Sequence, residues 1–281
     1  MLDRKVKEIK EIITDHFKLK FRDDSTEDIQ PFDGQPRPLL NCITQKEVRD
    51  SINKLNNGRA PGTYNICNQY IKYAPPMLDK QIAQILNKTF ESHEPLRISD
   101  GLLVTLPKPG KAKGPPSNLR PTTLLTSLRK ILSTIELSCI RPKIEVYLPT
   151  SQSRFRPNRS TSDVIWAHRW LTAKVQKDAN LEINVTGIDT SAAFDTINRK
   201  ELLTILKEIV EENELHIIQF LLSETTLDVK VYPRNSLYHQ HRNTTRGQSK
   251  PRSFHNLFVI CSKRYQECAE QLTAASSLYA L

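Results

Sequence analysis

The chain has 281 residues, an apolar fraction of 38% and a formal net charge of +10, enough for one large or two small soluble domains. No stretch approaches the roughly 18 uninterrupted apolar residues of a membrane-spanning helix, and the opening MLDRKVKEIKE has no signal-peptide core, so an intracellular protein without a membrane partner is expected. The five cysteines form no CxxC pair, which supports neither a zinc knuckle nor a disulfide framework.

In chain order, Leu2, Val6, Ile9, Ile13 and Phe17 recur at helical spacing and predict an amphipathic helix. The Asp-, Pro- and Gln-rich stretch 23–41 reads as a linker or surface arm. Thr44 and Glu47 have capping-box spacing, Val48, Ile52 and Leu55 give the next helix one apolar face, and Asn57-Gly58 is its expected stop. A further helix is expected after Pro76, with Ile82, Ile85, Leu86 and Phe90 on its face. Residues 102–106, LLVTL, bounded by Gly101 and Pro107, predict a buried strand or strand pair.

Leu124, Leu125, Leu128, Ile131, Leu132 and Ile135 predict another helix, and Ser160 to about Gln176 one more. Ile183, Val185 and Gly187-Ile188 read as a strand delivering Asp189 at its end. Asn198 with Glu201 then caps a helix lined by Leu202, Leu206, Ile209 and Val210, and Leu227 to Tyr232 is a final strand candidate. There is no internal repeat and no low-complexity tract.

The charge is unevenly placed. Lys and Arg outnumber Asp and Glu 20 to 8 in residues 51–180, whereas the counts are 10 to 11 in residues 1–50 and 11 to 12 in residues 181–281. A positive field confined to the middle of the chain suits a polyanion. Asp189 adds a second element of chemistry, because a carboxylate at a strand end before a turn and a helix can hold a metal rigidly. Nucleotidyl transfer uses two Mg²⁺ ions roughly 3.5–4 Å apart, so several carboxylates must converge there.

Four separated segments resemble, in the same order, those of non-LTR (LINE-type) retrotransposon reverse transcriptases. Asn57-Gly58-Arg59-Ala60-Pro61-Gly62 is similar to the family's APG motif. Leu106-Pro107-Lys108-Pro109-Gly110-Lys111, with Asn118-Leu119-Arg120-Pro121, is similar to its first fingers motif. Ser151-Gln152-Ser153-Arg154-Phe155-Arg156-Pro157, ending Arg159-Ser160-Thr161, resembles its SQxGFRPGRST segment, and Asp189 to Asp195 its DxSxAFD palm motif. The resemblance covers about residues 45–230.

It implies an α+β right-hand polymerase fragment with helical fingers and an incomplete palm sheet. By residue, it implies dNTP contacts from Lys108 and Arg120, Mg²⁺ (or Mn²⁺) binding by Asp189, and a steric gate against ribonucleotides at Phe194. Arg154, Arg156 and Arg159, with Phe155 and Trp166 nearby, would follow the template by phosphate contact and stacking. Asp195 reads as a backbone-capping residue rather than a ligand. The implied partners are an RNA template, a DNA primer and dNTP.

The match has departures. Thr63-Tyr64 stands where Pro-Asp is usual, Arg154 and Asn158 replace glycines, and Ala192 replaces a basic residue. Past Tyr232 only Arg246-Gly247-Gln248 and Leu257-Phe258 echo the next palm motif. Ser277-Leu278-Tyr279-Ala280-Leu281 has Leu where the first Asp of a YADD strand belongs. The expected organisation is therefore an N-terminal helix and linker (1–43), a fingers-like region (44–180), a partial palm (181–234) and a degenerate tail (235–281). Such a fragment is expected to be inactive alone. A non-catalytic RNA- or DNA-binding module, or a non-functional pseudogene product, are the alternatives.

Overall fold

The computed structural model describes residues 2–21, 39–91, 98, 100–112, 114–178, 184–185, 198–222 and 226–230. The elements in chain order are α1 (Leu2–Phe21), α2 (Gln45–Asn53), α3 (Asn68–Lys72), α4 (Met77–Glu91), β1 (Gly101–Pro107), β2 (Leu119–Leu125), α5 (Ser127–Tyr147), α6 (Thr161–Lys177), α7 (Arg199–Leu206), α8 (Glu212–Leu222) and β3 (Leu227–Lys230). They form two compact units. One comprises Met1–Ile140 and Val210–Ser249, the other Arg141–Ile209 and Lys250–Leu281.

The first unit is built on helices with strong local signals. The Thr44 hydroxyl accepts the Glu47 N–H at 3.3 Å while the Glu47 carboxylate accepts the Thr44 N–H at 2.8 Å, the reciprocal box expected from the sequence. The helix stops at Asn53 with Lys54 as C-cap, before Asn57-Gly58. Gly58, at φ +68°, instead serves the turn that follows. Val48 and Ile52 of α2, Ile82, Leu86 and Phe90 of α4, Ile131, Leu132 and Ile135 of α5, and Ile217, Phe220 and Leu221 of α8 share one apolar core. Each fully buried side chain of this size contributes roughly 1.5–3 kcal/mol.

The sheet has the order β2-β1-β3, with β1 antiparallel to β2 and parallel to β3. Ile13 and Phe17 of α1 pack against Leu103, Val229, Leu119 and Leu227, so one face of the sheet is covered by the opening helix. One correction arises here. Leu124 and Leu125 end β2 and do not begin the next helix, which starts at Ser127, because both are paired to β1 through Leu102 and Gly101. The Leu227–Lys230 strand, a candidate from the sequence, pairs with β1 beside the 101–125 hairpin.

Two helices were not anticipated, α3 and α8. In the second unit, Asn198 Oδ1 accepts the Lys200 and Glu201 N–H groups and starts α7, as its spacing implied. That helix ends at Leu206, so Ile209 lies in the turn beyond it. Ser160 and Asp163 form a second reciprocal capping box at α6. The expected strand before Asp189 and the linker core fall outside the described residues.

Candidate functional site

The β1–β2 hairpin sets the geometry of the first candidate site. Leu106 pairs with Arg120 and Pro107 with Leu119. Successive strand side chains face opposite ways. Because Leu119 packs on the α1 side, Arg120 lies on the opposite face. It is exposed, with no hydrogen bond or ion pair among the described residues. A guanidinium held on a strand with unused donors is suited to bidentate recognition of phosphate oxygens.

The connecting loop is braced by its own backbone. Lys108 N–H donates to Asn118 O at 2.9 Å, Lys111 N–H to Lys108 O at 3.3 Å, and Asn118 Nδ2 to Ala112 O at 3.0 Å. Gly110, at φ +71°, makes the turn. Lys108 differs from Arg120 in its state: its ammonium donates to Ser117 O at 2.7 Å and so turns into the loop. The structure brings both cations onto one hairpin, with one of them engaged.

Behind the hairpin lies a contact that residue-by-residue reading of the motifs did not reveal. An added Cβ on Gly62 would stand 2.6 Å from Leu125 O, 2.7 Å from its carbonyl carbon and 2.8 Å from Thr126 N. The APG glycine is therefore pressed against the end of β2, a close approach of two backbones that only glycine permits. The rest of that loop is stitched to the same region. Ser127 Oγ lies 3.2 Å from Ile66 O and 3.1 Å from Asn68 Oδ1, and Asn68 Nδ2 donates to Asn56 O at 2.9 Å. The glycine of the motif was the available signal, though its partner strand was not legible.

The second candidate region, residues 149–160, is one loop of the second unit. Arg156 is 9% exposed and already committed: Nε and Nη2 hold Glu145 Oε1 at 2.7 and 2.6 Å, and Nη1 donates to Pro149 O at 2.6 Å and Gln152 O at 3.4 Å. It fastens the loop to α5. Arg154 is exposed and its guanidinium lies 5.0 Å from the centroid of the Phe155 ring. Arg159 is exposed with no hydrogen bond or ion pair among the described residues.

Of the two glycine replacements in this loop, Asn158 stands at positive φ and Arg154 does not. Asn158 adopts φ +56°, and Phe155, next to Arg154, adopts φ +62°. The left-handed conformation is thus retained at Asn158, one of the residue types that tolerates it, whereas the aromatic side chain of Phe155 bears strain.

Asp189 and Phe194 lie outside the described residues, as does Asp195. Among the described residues no three His, Cys, Asp or Glu side chains stand together. No helix among them is long and apolar enough to cross a membrane.

On α5, burial pushes the Lys130 ammonium below the ordinary 10.5. The unfolded chain then binds the extra proton between the lowered value and 10.5, so this residue's contribution to stability rises with pH across that window. Lys130→Met is expected to stabilise the chain most below the window, with the gain shrinking as pH approaches 10.5. Urea titrations across that range, parent against variant, measure the difference; a constant difference would refute the burial penalty.

Comparison with known proteins bears on what this arrangement is. Residues 106–249 match the family described as reverse transcriptase (RNA-dependent DNA polymerase). The chain is 27% identical over 196 residues to the RNA-directed DNA polymerase from mobile element jockey of Drosophila melanogaster, covering 68% of this chain and 21% of that protein. It is 27% identical over 199 residues to the probable RNA-directed DNA polymerase from transposon BS of the same species, covering 69% and 21%. A Retrovirus-related Pol polyprotein from type-1 retrotransposable element R2 of Popillia japonica is 23% identical over 129 residues, covering 46% and 18%.

The matched family is one of template-directed nucleic-acid polymerases. Since the family match takes in just over half of the chain, the protein belongs to the reverse transcriptase family, and its relatives place it with the non-LTR retrotransposon type. It spans about a fifth of the length of these curated relatives. The matched span begins at the end of β1 and runs past residue 230 to include Arg246-Gly247-Gln248.

Proposed function

We propose that this chain is the nucleotide- and template-handling part of an RNA-directed DNA polymerase, comprising fingers and the first segment of a palm. The observation that carries the reading is Arg120, exposed and with no hydrogen bond or ion pair among the described residues, on a braced hairpin inside the matched region. Its planar fork would receive the triphosphate of an incoming dNTP, with Lys108 joining as a point charge once released from Ser117 O. Arg154 and Arg159 would meet template phosphates, while Arg156 would act by holding their loop in shape. Asp189 would ligate Mg²⁺, whose chemistry is to activate the primer hydroxyl and stabilise the leaving pyrophosphate. The Phe194 ring would exclude a 2′-hydroxyl.

Asp189 is the single recognisable metal carboxylate in these 281 residues, so binding without extension is the expected behaviour of this chain by itself. Labelled dTTP should photo-cross-link to the chain in the presence of an RNA template, DNA primer and Mg²⁺. Arg120→Ala should reduce capture about 10- to 100-fold, as loss of hydrogen bonds to a charged group implies. Lys111→Ala, in the loop of the same hairpin, should leave it near the parent level. Equal capture by the Arg120 variant would remove the basis of the proposal. Primer extension that disappears in Asp189→Ala would overturn the expected inactivity.

A further inference from the structure

Helix α6 presents two different faces, and the proposed template path uses neither fully. At about 100° per residue, Trp166, Trp170, Ala173 and Lys177 fall within an arc of about 60°, with Arg169 and Lys174 at its borders. Val164, Leu171 and Val175 lie on the other side. Leu171 and Val175 are half-buried while every other residue of the helix is exposed, so α6 rests on the protein by its aliphatic side. Trp166 is 69% and Trp170 54% exposed. No ring contact with another aromatic side chain holds either indole among the described residues.

We infer that the Trp166–Trp170 face of α6 is a stacking platform for single-stranded nucleic acid. The inference rests on the polymerase reading only for the kind of partner, since its residues lie outside the proposed dNTP contacts. The two indoles are four residues apart, a rise of about 6 Å along the helix. That is close to twice the ~3.4 Å spacing of successive nucleotides, which leaves room for a base between them. Lys174 Nζ lies 5.4 Å from the centroid of the Trp170 ring. One indole face thus carries a cation next to a passing phosphate and the other is open to a base.

Charge selects this occupant over an apolar protein surface. Arg169, Lys174 and Lys177 flank the aromatic arc, and Arg159 precedes the helix. Asp163, the only carboxylate within α6, is turned back to accept the Ser160 N–H at 2.7 Å. Covering these cations with apolar side chains would desolvate them without partners; a sugar-phosphate strand supplies the partners. A duplex is disfavoured, because its base faces are already stacked.

The chain contains two tryptophans, and both lie on this face, so their fluorescence reports the site directly. Titrating the full chain with an oligo(U) or oligo(dT) strand should quench the emission saturably, with affinity falling as salt rises. Quenching by both strands assigns stacking common to RNA and DNA, and quenching by oligo(U) alone assigns the platform to an RNA strand. Followed by anisotropy of a labelled strand, Trp166→Ala and Trp170→Ala should each weaken binding about tenfold, and Trp170→Phe should retain most of it.

A doubly substituted Trp166→Ala, Trp170→Ala chain that stays folded by circular dichroism and binds within twofold of the parent would overturn the platform. So would emission from the free chain that is blue-shifted and shielded from acrylamide, since the indoles would then be covered by protein. Equal binding of a blunt duplex would also overturn it. Unchanged Arg120-dependent dTTP capture in the double variant separates failure of the platform from failure of the polymerase reading.

Discussion

Gly62→Ala is expected to destabilise the first unit by about 3 kcal/mol and to weaken dTTP capture by the hairpin with it. Three backbone atoms of Leu125 and Thr126 would lie within 2.8 Å of the new Cβ. Backbone cannot rotate away as the end of a flexible side chain can, so either the loop or the end of β2 must move. β2 also carries Arg120, five residues before Leu125, and its register with β1 fixes that guanidinium opposite Leu106. The motif glycine would thereby act on the proposed nucleotide site through the strand rather than by contact.

Gly58 supplies the control for this prediction. It adopts φ +68° and nothing lies within 4 Å of a Cβ placed there, so its replacement by Ala carries only the left-handed backbone penalty of about 1–2 kcal/mol. Gly58→Asn should recover part of that loss, whereas Gly62→Asn should be at least as damaging as Gly62→Ala. Denaturant unfolding of the four variants gives the ordering. Gly62→Ala no more destabilising than Gly58→Ala would show that the close approach does not constrain the fold.

The local signals were the legible ones. Capping boxes and 3.6-residue periodicity located α1, α2, α4, α6 and α7 because the information lies within a few residues of each helix end. α3 has five residues, too few for a period to register. α8 is apolar on most of its circumference, with Leu215, Ile217, Ile218, Phe220 and Leu221 all buried, so no stripe distinguishes it from a strand. β2 was obscured by Pro121 and by the run from Leu124 into Leu128, where strand and helix apolar residues join without a break.

Candidate site residues divide along the same line. Lys108, Arg120, Arg154 and Arg159 were proposed from ordered motifs, which specify residue type and neighbours. Their states were not legible, because a guanidinium unpaired among the described residues, as at Arg120, and an engaged one at Arg156 look alike in sequence. The difference is made by Glu145, eleven residues upstream across the end of α5. Arg129 is a longer-range case: its Nη2 donates to Leu221 O across 92 positions, and nothing local to either residue announces the contact.

The ion pair between Arg49 on α2 and Asp79 on α4 is also non-local, and it leads to the second large expected effect. Arg49 Nε meets Asp79 Oδ2 at 2.5 Å, with side-chain exposures of 29% and 2%. Asp79 Oδ1 has no hydrogen-bond partner among the described residues, so Arg49 provides the main compensation for that buried carboxylate. Arg49→Ala is expected to cost about 3–5 kcal/mol, the range for leaving a buried charge without its partner.

Asp79→Ala should cost less, because the Arg49 side chain is already partly in water and can complete its hydration by a change of rotamer. The double variant should recover much of the Arg49→Ala loss, since the stranded charge is gone. A double-mutant cycle by urea unfolding therefore has an asymmetric form, with Arg49→Ala the worst of the three. If Asp79→Ala is instead the more destabilising single change, the pair stabilises mainly through the carboxylate's packing at the start of α4, and the asymmetry of burial does not govern its energetics.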